Sequence, residues 1–212
     1  MGSSRLPGKS LRPLAGLPMV LHVLYRALAI PGVSSVWLAT SDEEPDRALA
    51  LAASGIVSVY CGSSWDVLSR YVTIARVTRA QTIVRVTGDC PCLAPDVAAQ
   101  VLEAHDGVGY TWNDTAHSGY ADGFDVEVFS ADVLYAADID ATERQDREHV
   151  TPIMRELVEP RVVRCEEDWT RLKLSVDTED DFERVRALYG YLPAKDYRMA
   201  TTLDAARKAG LV

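Results

Sequence analysis

The chain has little of what would make it a membrane, secreted or nucleic-acid-coating protein. It has no apolar run near the ~20 residues that a membrane-spanning helix needs, and no charged-then-apolar secretory pattern is visible. It has no basic surplus: 22 Lys and Arg against 31 Asp and Glu leave a net charge of −9. That balance excludes a broad basic surface of the kind that grips nucleic acid. Cysteine is sparse, with only Cys61, Cys90, Cys92 and Cys165, and none forms a C-x-x-C pair. Cys90 and Cys92 flank Pro91, too close for a usual intrachain disulfide or a paired zinc knuckle. The expectation is free thiols in a reducing, cytoplasmic setting. Histidine is equally scarce, and His22, His105 and His117 fall into no pattern. Trp37, Trp65, Trp112 and Trp169 are spaced too irregularly for a base-stacking array. Internal repeats and low-complexity stretches are also lacking.

What is present is an ordinary globular alternation. At 212 residues, a chain buries roughly 70% of its unfolded surface, so a single domain over residues 1–212 is expected, with 192–212 as a C-terminal extension. Val20, Val23, Leu24, Ala27 and Leu28 recur at helical spacing over residues 18–29, and Pro31-Gly32 ends that run. Strands are expected at 36–39, 57–60 and 82–86. Helices are expected at 46–53, 65–77 with Ser64 as cap, and from Pro95 onward. This rhythm predicts a Rossmann-like α/β fold, a mainly parallel sheet with helices on both faces. After Gly109 the pattern changes. Strands are read at 109–112, 125–129 (one side wet), 161–165 and 172–176. Ser130 and Thr178 read as helix caps, and 138–148 as a charged surface loop or lid.

Two features carry chemistry. The first line, GSSRLPGKSL, is flexible and basic, and its backbone N–H groups with Arg5 and Lys9 suit a cradle for phosphate oxygens. Its glycine spacing is one residue too long for a P-loop. The second is a pair of aspartates. Asp89, in the turn TGDCP, and Asp177, in SVDT, each follow a predicted strand, at the rim where open α/β sheets place ligands. Alone, each reads as a turn or cap aspartate. Together they suit Mg²⁺, a hard cation that takes oxygen ligands and keeps waters.

GSSRLPGKSL, VRVTGDCP, YADGFDVEVF, DREHVTP and LSVDTEDDFERVRALY resemble, in order, the cytidylyltransferases of the spore-coat polysaccharide type, relatives of the Kdo and acylneuraminate cytidylyltransferases. The resemblance spans nearly the whole chain. It implies a nucleotide-diphospho-sugar transferase-like fold and a Mg²⁺-dependent enzyme that moves CMP from CTP onto an acidic acceptor, a sugar acid or phosphonate, releasing pyrophosphate. It implies that Arg5, Lys9, Asp89 and Asp177 are catalytic, with Asp89 and Asp177 holding the metal. Ser3, Ser4, Ser41, Ser63, Arg70 and Gly88 join Arg5 and Lys9 on the nucleotide, near Thr40, Asp42 and Gly62. Asp122, Asp125, Glu127, Arg147 and His149 face the acceptor. Ala121 stands where the family pattern has Pro. Partners are thereby CTP and an anionic small molecule, with no nucleic acid and no membrane, and a homodimer is the family expectation. The alternatives are a sugar-phosphate nucleotidyltransferase using another NTP and a catalytically silent nucleotide-binding subunit. The family also feeds this loop from a buried strand, so Met1 is expected to be an internal residue whose upstream strand is missing here.

Overall fold

The computed structural model describes residues 5–212. Gly8 takes φ +73, which lets the chain turn sharply into a 3₁₀ turn at Lys9–Leu11. A two-stranded hairpin, β1 (Pro13–Leu14) and β2 (Leu17–Pro18), then hands over to α1 (Met19–Leu28). Pro18 sits at the N-cap of α1, where its missing N–H costs nothing. β3 (Trp37–Ser41), α2 (Arg47–Ala53) and β4 (Ser58–Gly62) follow, and β3 pairs with β4 in parallel register from Trp37↔Ser58 to Ser41↔Gly62. The next helix, α3 (Val67–Thr78), is capped by Asp66 rather than Ser64. The Asp66 carboxylate accepts from Ser69 N at 3.0 Å, because Asp66 is the residue directly before the first helical one. β5 (Thr82–Arg85) and α4 (Pro95–Ala104) complete the first half as the periodicity predicts.

The second half corrects the expectation of a mainly parallel sheet. It comprises β6 (Tyr110–Trp112), α5 (Thr115–Ser118), β7 (Glu127–Ser130), α6 (Ala131–Asp140), α7 (Arg144–His149), α8 (Pro152–Leu157) and β8 (Arg161–Val162). The four-stranded sheet has the order β5-β7-β6-β8, with β7 antiparallel to both neighbours and β8 parallel to β6. No crossover helix of useful length separates β6 from β7, and a strand that returns without one runs antiparallel. The sheet is therefore mixed. The expected wet side of 125–129 is also absent. Glu127 is shielded in an ion pair with Arg85 and accepts from the Tyr110 hydroxyl, so its polar position is a buried pair. Helices do cover both faces. Along β7, Val128 joins Ala27, Ala98 and Val101 on one side, while Phe129 joins Leu68, Val72, Leu134 and Met154 on the other.

Two more readings are corrected. Residues 138–148 form no long loop: α6 runs to Asp140 and α7 begins at Arg144. Residues 172–176 bury Leu172, Leu174 and Val176 alternately, yet form no strand among the described residues, only an isolated bridge from Lys173 to Asp122. Leu174 N donates to Asp122 O at 2.6 Å and Val176 N to Asp89 O at 2.8 Å, so this segment is stitched to two different turns instead of one ladder. The chain ends with α9 (Glu179–Tyr189) and α10 (Met199–Lys208). α10 buries Leu203, Ala205 and Ala206 in the same apolar cluster as Phe182 and Leu188 of α9, so the tail packs on its own chain.

One glycine is indispensable to this stitching. Gly123 adopts φ +111, and a Cβ there would come within 2.8 Å of the Leu174 carbonyl carbon. Gly123→Ala is expected to lose about 1–3 kcal/mol from the backbone conformation alone, with the clash adding to it. Urea unfolding should show a lower midpoint at unchanged m; an unchanged midpoint would mean that the 122–124 turn is not held against 174–175.

Candidate active site

β5 delivers the chain to a turn in which Cys90 N donates to Thr87 O at 3.3 Å, leaving Asp89 just beyond the strand's C-terminal end. The Val176 N–Asp89 O bond brings the 176–177 backbone alongside. Lys9, from the 3₁₀ turn, closes the group. Its Nζ donates to Asp89 Oδ2 at 3.1 Å, Asp177 Oδ1 at 3.3 Å and Val176 O at 2.6 Å. An ammonium has three protons, and all three find an acceptor. The Lys9 side chain is only 12% exposed, whereas Arg5, 3.2 Å from the same Asp177 oxygen, is 64% exposed. Lys9 is thus a fixed charge inside the rim, and Arg5 is a solvent-facing charge at its mouth.

Asp177 is held from the other side as well. Lys173 Nζ donates to Asp177 Oδ2 at 3.2 Å and to Asp181 Oδ2 at 2.9 Å. Asp181 also accepts from Asp177 N at 3.1 Å, Thr178 N at 3.0 Å and Arg184 at 2.7 Å, and with Thr178 it forms a reciprocal capping box at the start of α9. Burial works against the charge on Asp181, but Lys173, Arg184, the Asp177 amide and Thr178 outweigh it and hold its pKa well below the ordinary carboxylate range. Asp177 behaves alike: burial opposes its charge, and Lys173 and Lys9 override it to lower the pKa. Asp122 goes the other way. Burial raises its pKa, the charges of Asp177 and Asp89 add to the effect, and Ser175 and Lys173 oppose it.

Among the described residues no group of three or more His, Cys, Asp or Glu side chains forms a ready-made metal cage. Asp89 and Asp177 form a two-carboxylate set that already converges on one positive charge, the Lys9 ammonium. Two acceptor-only carboxylates with spare lone pairs fit a hard divalent cation that retains water and phosphate ligands.

The remaining expected residues fall in several places. Ser3 and Ser4 lie outside the described residues. Gly88 precedes Asp89 in the turn, and a Cβ there would meet no atom within 4 Å. Ser41, at the C-terminal end of β3, donates to Asp46 at 2.6 Å, and Thr40 donates to the same carboxylate at 3.4 Å. Ser63 O accepts from Arg70 Nε at 2.7 Å, and Arg70 also bonds Ser64 O, so this buried guanidinium staples the loop after β4. Asp122 joins the aspartate group through its surroundings. Asp125 turns inward to accept from Gly123 N at 2.8 Å and from Thr115 N and Oγ1, shaping the turn that presents Asp122. Glu127 is engaged with Arg85 and Tyr110. Arg147 clamps Asp66 at 2.8 Å and Asp138 at 2.9 Å, joining the start of α3 to the end of α6. His149 is exposed on α7. Sequence reasoning missed Lys173. Its signal was a lone cation at a polar position between buried Leu172 and Leu174, four residues before Asp177.

The Asp181 network has a pH consequence. A carboxylate whose pKa is depressed on folding adds stability that is fully present above its unfolded value, near 4, and lost as pH falls through the folded value. Asp181→Asn is expected to lower Tm at neutral pH and to flatten the fall of Tm between about pH 4 and pH 2. Thermal melts across that range check it, and an acid limb as steep as the wild type's would show that Asp181 does not carry the linkage.

Comparison with known proteins places the sequence and the fold. The sequence model of a family described as Cytidylyltransferase matches residues 1–204. The spore coat polysaccharide biosynthesis protein SpsF of Bacillus subtilis (strain 168) is 34% identical over 202 residues, covering 89% of this chain and 82% of its own length. A 3-deoxy-manno-octulosonate cytidylyltransferase of Escherichia coli is 36% identical over 102 residues, which is 48% of this chain and 41% of that protein. The solved structure of a cytidylyltransferase from Leptospira borgpetersenii serovar Hardjo-bovis (strain JB197) superposes with a TM-score of 0.91 at 26% identity, covering 99% of this chain and 91% of that one. The family match over almost the entire sequence, with a relative 34% identical along most of both chains and a superposing cytidylyltransferase structure, establishes that this chain belongs to the cytidylyltransferase family.

Proposed function

We propose that the protein transfers CMP from CTP to an anionic acceptor, a sugar acid or phosphonate, with loss of pyrophosphate. The observation that supports this most is the convergence of Asp89 and Asp177 on Lys9 Nζ, with Arg5 at the mouth. An acceptor oxygen attacks the α-phosphorus, the bond from that phosphorus to the α–β bridging oxygen breaks, and the electron pair leaves on pyrophosphate. Such a transfer needs alignment and charge more than covalent help. In this reading Lys9 and Arg5 stabilise the charge that accumulates on the β and γ phosphates, with Ser3, Ser4 and Gly88 contributing to the phosphate cradle. Asp89 and Asp177 would hold Mg²⁺, which when bound neutralises phosphate oxygens and polarises the α-phosphorus. Ser41, Ser63 and Arg70 shape the loops beside the base. Asp122, positioned by Asp125, faces the acceptor, and Glu127, Arg147 and His149 complete that side. The names of the relatives suggest surface polysaccharide biosynthesis as the setting.

Two measurements test the proposal. Asp89→Asn and Asp177→Asn should each lower CMP transfer by at least 10² to 10³, the loss of about 3–4 kcal/mol of electrostatic stabilisation, and should keep a cooperative melt. Wild-type turnover by either variant would remove these roles. Pyrophosphate release should also be faster with CTP and Mg²⁺ than with UTP, ATP or GTP, and should stop on chelation. Preference for another NTP would favour a sugar-phosphate nucleotidyltransferase, and CTP binding without release for every acceptor would favour a silent subunit.

A further inference from the structure

A second group of charges lies on β5, β6, β7 and α8, and one cation in it is uncommitted. Arg85 pairs with Glu127, and the Tyr110 hydroxyl donates to the same carboxylate. Burial and the Glu127 charge push the Tyr110 pKa far upward, so the phenol stays neutral. Arg155 of α8 joins this group. Its guanidinium lies 5.0 Å from the centre of the Trp112 ring, a cation–π contact. Its polar contacts among the described residues are long: Nη1 is 3.5 Å from Thr151 Oγ1 and 3.7 Å from Glu127 Oε1. Five N–H donors thus make one marginal hydrogen bond. The buried Nε1 of Trp112 has no acceptor among the described residues either. Neighbouring cations are committed elsewhere, Arg147 to Asp66 and Asp138, and Lys173 to Asp177 and Asp181. Within the group Arg85 and Glu127 cancel, which leaves one positive charge on Arg155.

The position of Arg155 is held by a strained turn. Val150 takes φ 72 and ψ −54, and Thr151 N donates back to His149 O at 2.8 Å, a γ-turn of the rare, strained kind. A β-branched residue resists that conformation. It persists because the Val150 side chain is fully buried, in one apolar cluster with Leu68, Phe129 and Met154. The turn redirects the chain from α7 into α8 and so brings Thr151 and Arg155 to Trp112 and Glu127. Glu127 is the register partner of both Arg85 and Trp112. Asp89 follows Arg85 by four residues, so their Cα atoms are at most ~14 Å apart.

We infer that Arg155 is a specificity-determining residue of the acceptor side, its guanidinium receiving a carboxylate of the acceptor substrate while Trp112 supports its flat face. The inference rests on the proposed CMP transfer and deepens it by choosing a carboxylate over a phosphonate. A carboxylate offers only hydrogen-bond acceptors and matches the guanidinium fork with two parallel bonds. It brings the single negative charge that the group is short of, whereas a phosphonate dianion would leave one charge unmatched.

The probe is pyruvate, a small monoanionic carboxylate, beside its neutral methyl ester and methylphosphonate. Binding is read from the indole Nε1–H resonance of Trp112, assigned among the four tryptophans with Trp112→Phe. Pyruvate should shift that resonance saturably in the wild type. Its affinity should fall at least ten-fold in Arg155→Met, and by less in Arg155→Lys, which keeps the charge but not the fork. The ester should leave the resonance in place, and methylphosphonate should bind more weakly than pyruvate. Both variants should keep a cooperative melt. No shift with pyruvate, equal affinity in the wild type and either variant, or an equal response to the ester would overturn the inference. Tighter binding of methylphosphonate would overturn the choice of carboxylate. None of these readings involves CTP, so a failure of the transfer proposal is scored separately, by pyrophosphate release.

Discussion

A single ammonium between two carboxylates is the contact on which the site depends. Lys9, Asp89 and Asp177 come from positions 80 and 168 residues apart along the chain. None of them is brought near the others by local structure. The 3₁₀ turn after Gly8 carries Lys9, the end of β5 carries Asp89, and the capping box of α9 fixes Asp177. The charge balance then makes the arrangement self-enforcing. Removing one partner leaves the others with uncompensated charge, so the folded state favours keeping all three together. The Val176 N–Asp89 O bond reinforces this commitment through the backbone, without relying on charge.

The surrounding electrostatics give the rim two distinct populations of carboxylate. Asp177 and Asp181 are held ionised by Lys9, Lys173 and Arg184, while Asp122 has its pKa raised by burial and by its acidic neighbours. Groups pushed apart in this way can take different parts at one pH. Lys173 connects them, because it touches Asp177 and Asp181 and also opposes the rise at Asp122. On a body of net charge −9, Arg5, Lys9 and Lys173 gather at the rim and are matched there by its aspartates.

Legibility in the sequence followed the range of the forces involved. The helices α1, α3, α4 and α9 were readable because burial of one face imposes a 3.6-residue period within the element itself. The Thr178 cap was readable because a capping box is complete within four residues. Strand direction was not readable, because nothing local to residues 127–130 says that β7 inserts between β5 and β6. Glu127 misled for a related reason: a buried ion pair with Arg85 looks, in one dimension, like a solvent-facing position. Residues 172–176 show the same limit. Alternating burial of Leu172, Leu174 and Val176 is genuine, but whether an extended segment joins a ladder depends on where its partners end. Asp89 and Asp177 were legible as a pair because each lies at the end of a buried extended segment. Lys173 was not, because its role exists only once Asp177 and Asp181 are brought within reach of it.

Lys9 owes its position to contacts it makes beyond its own loop: Asp89 is set by the turn after β5, and Asp177 by the start of α9. The ammonium therefore senses both elements at once, because a shift of either lengthens one of its hydrogen bonds. In the proposed reaction a charge displaced by even 1 Å can lose about 10² in rate, so the backbone bonds that stitch residues 174–176 to Asp122 and Asp89 tie the architecture of the fold to the geometry of its rim.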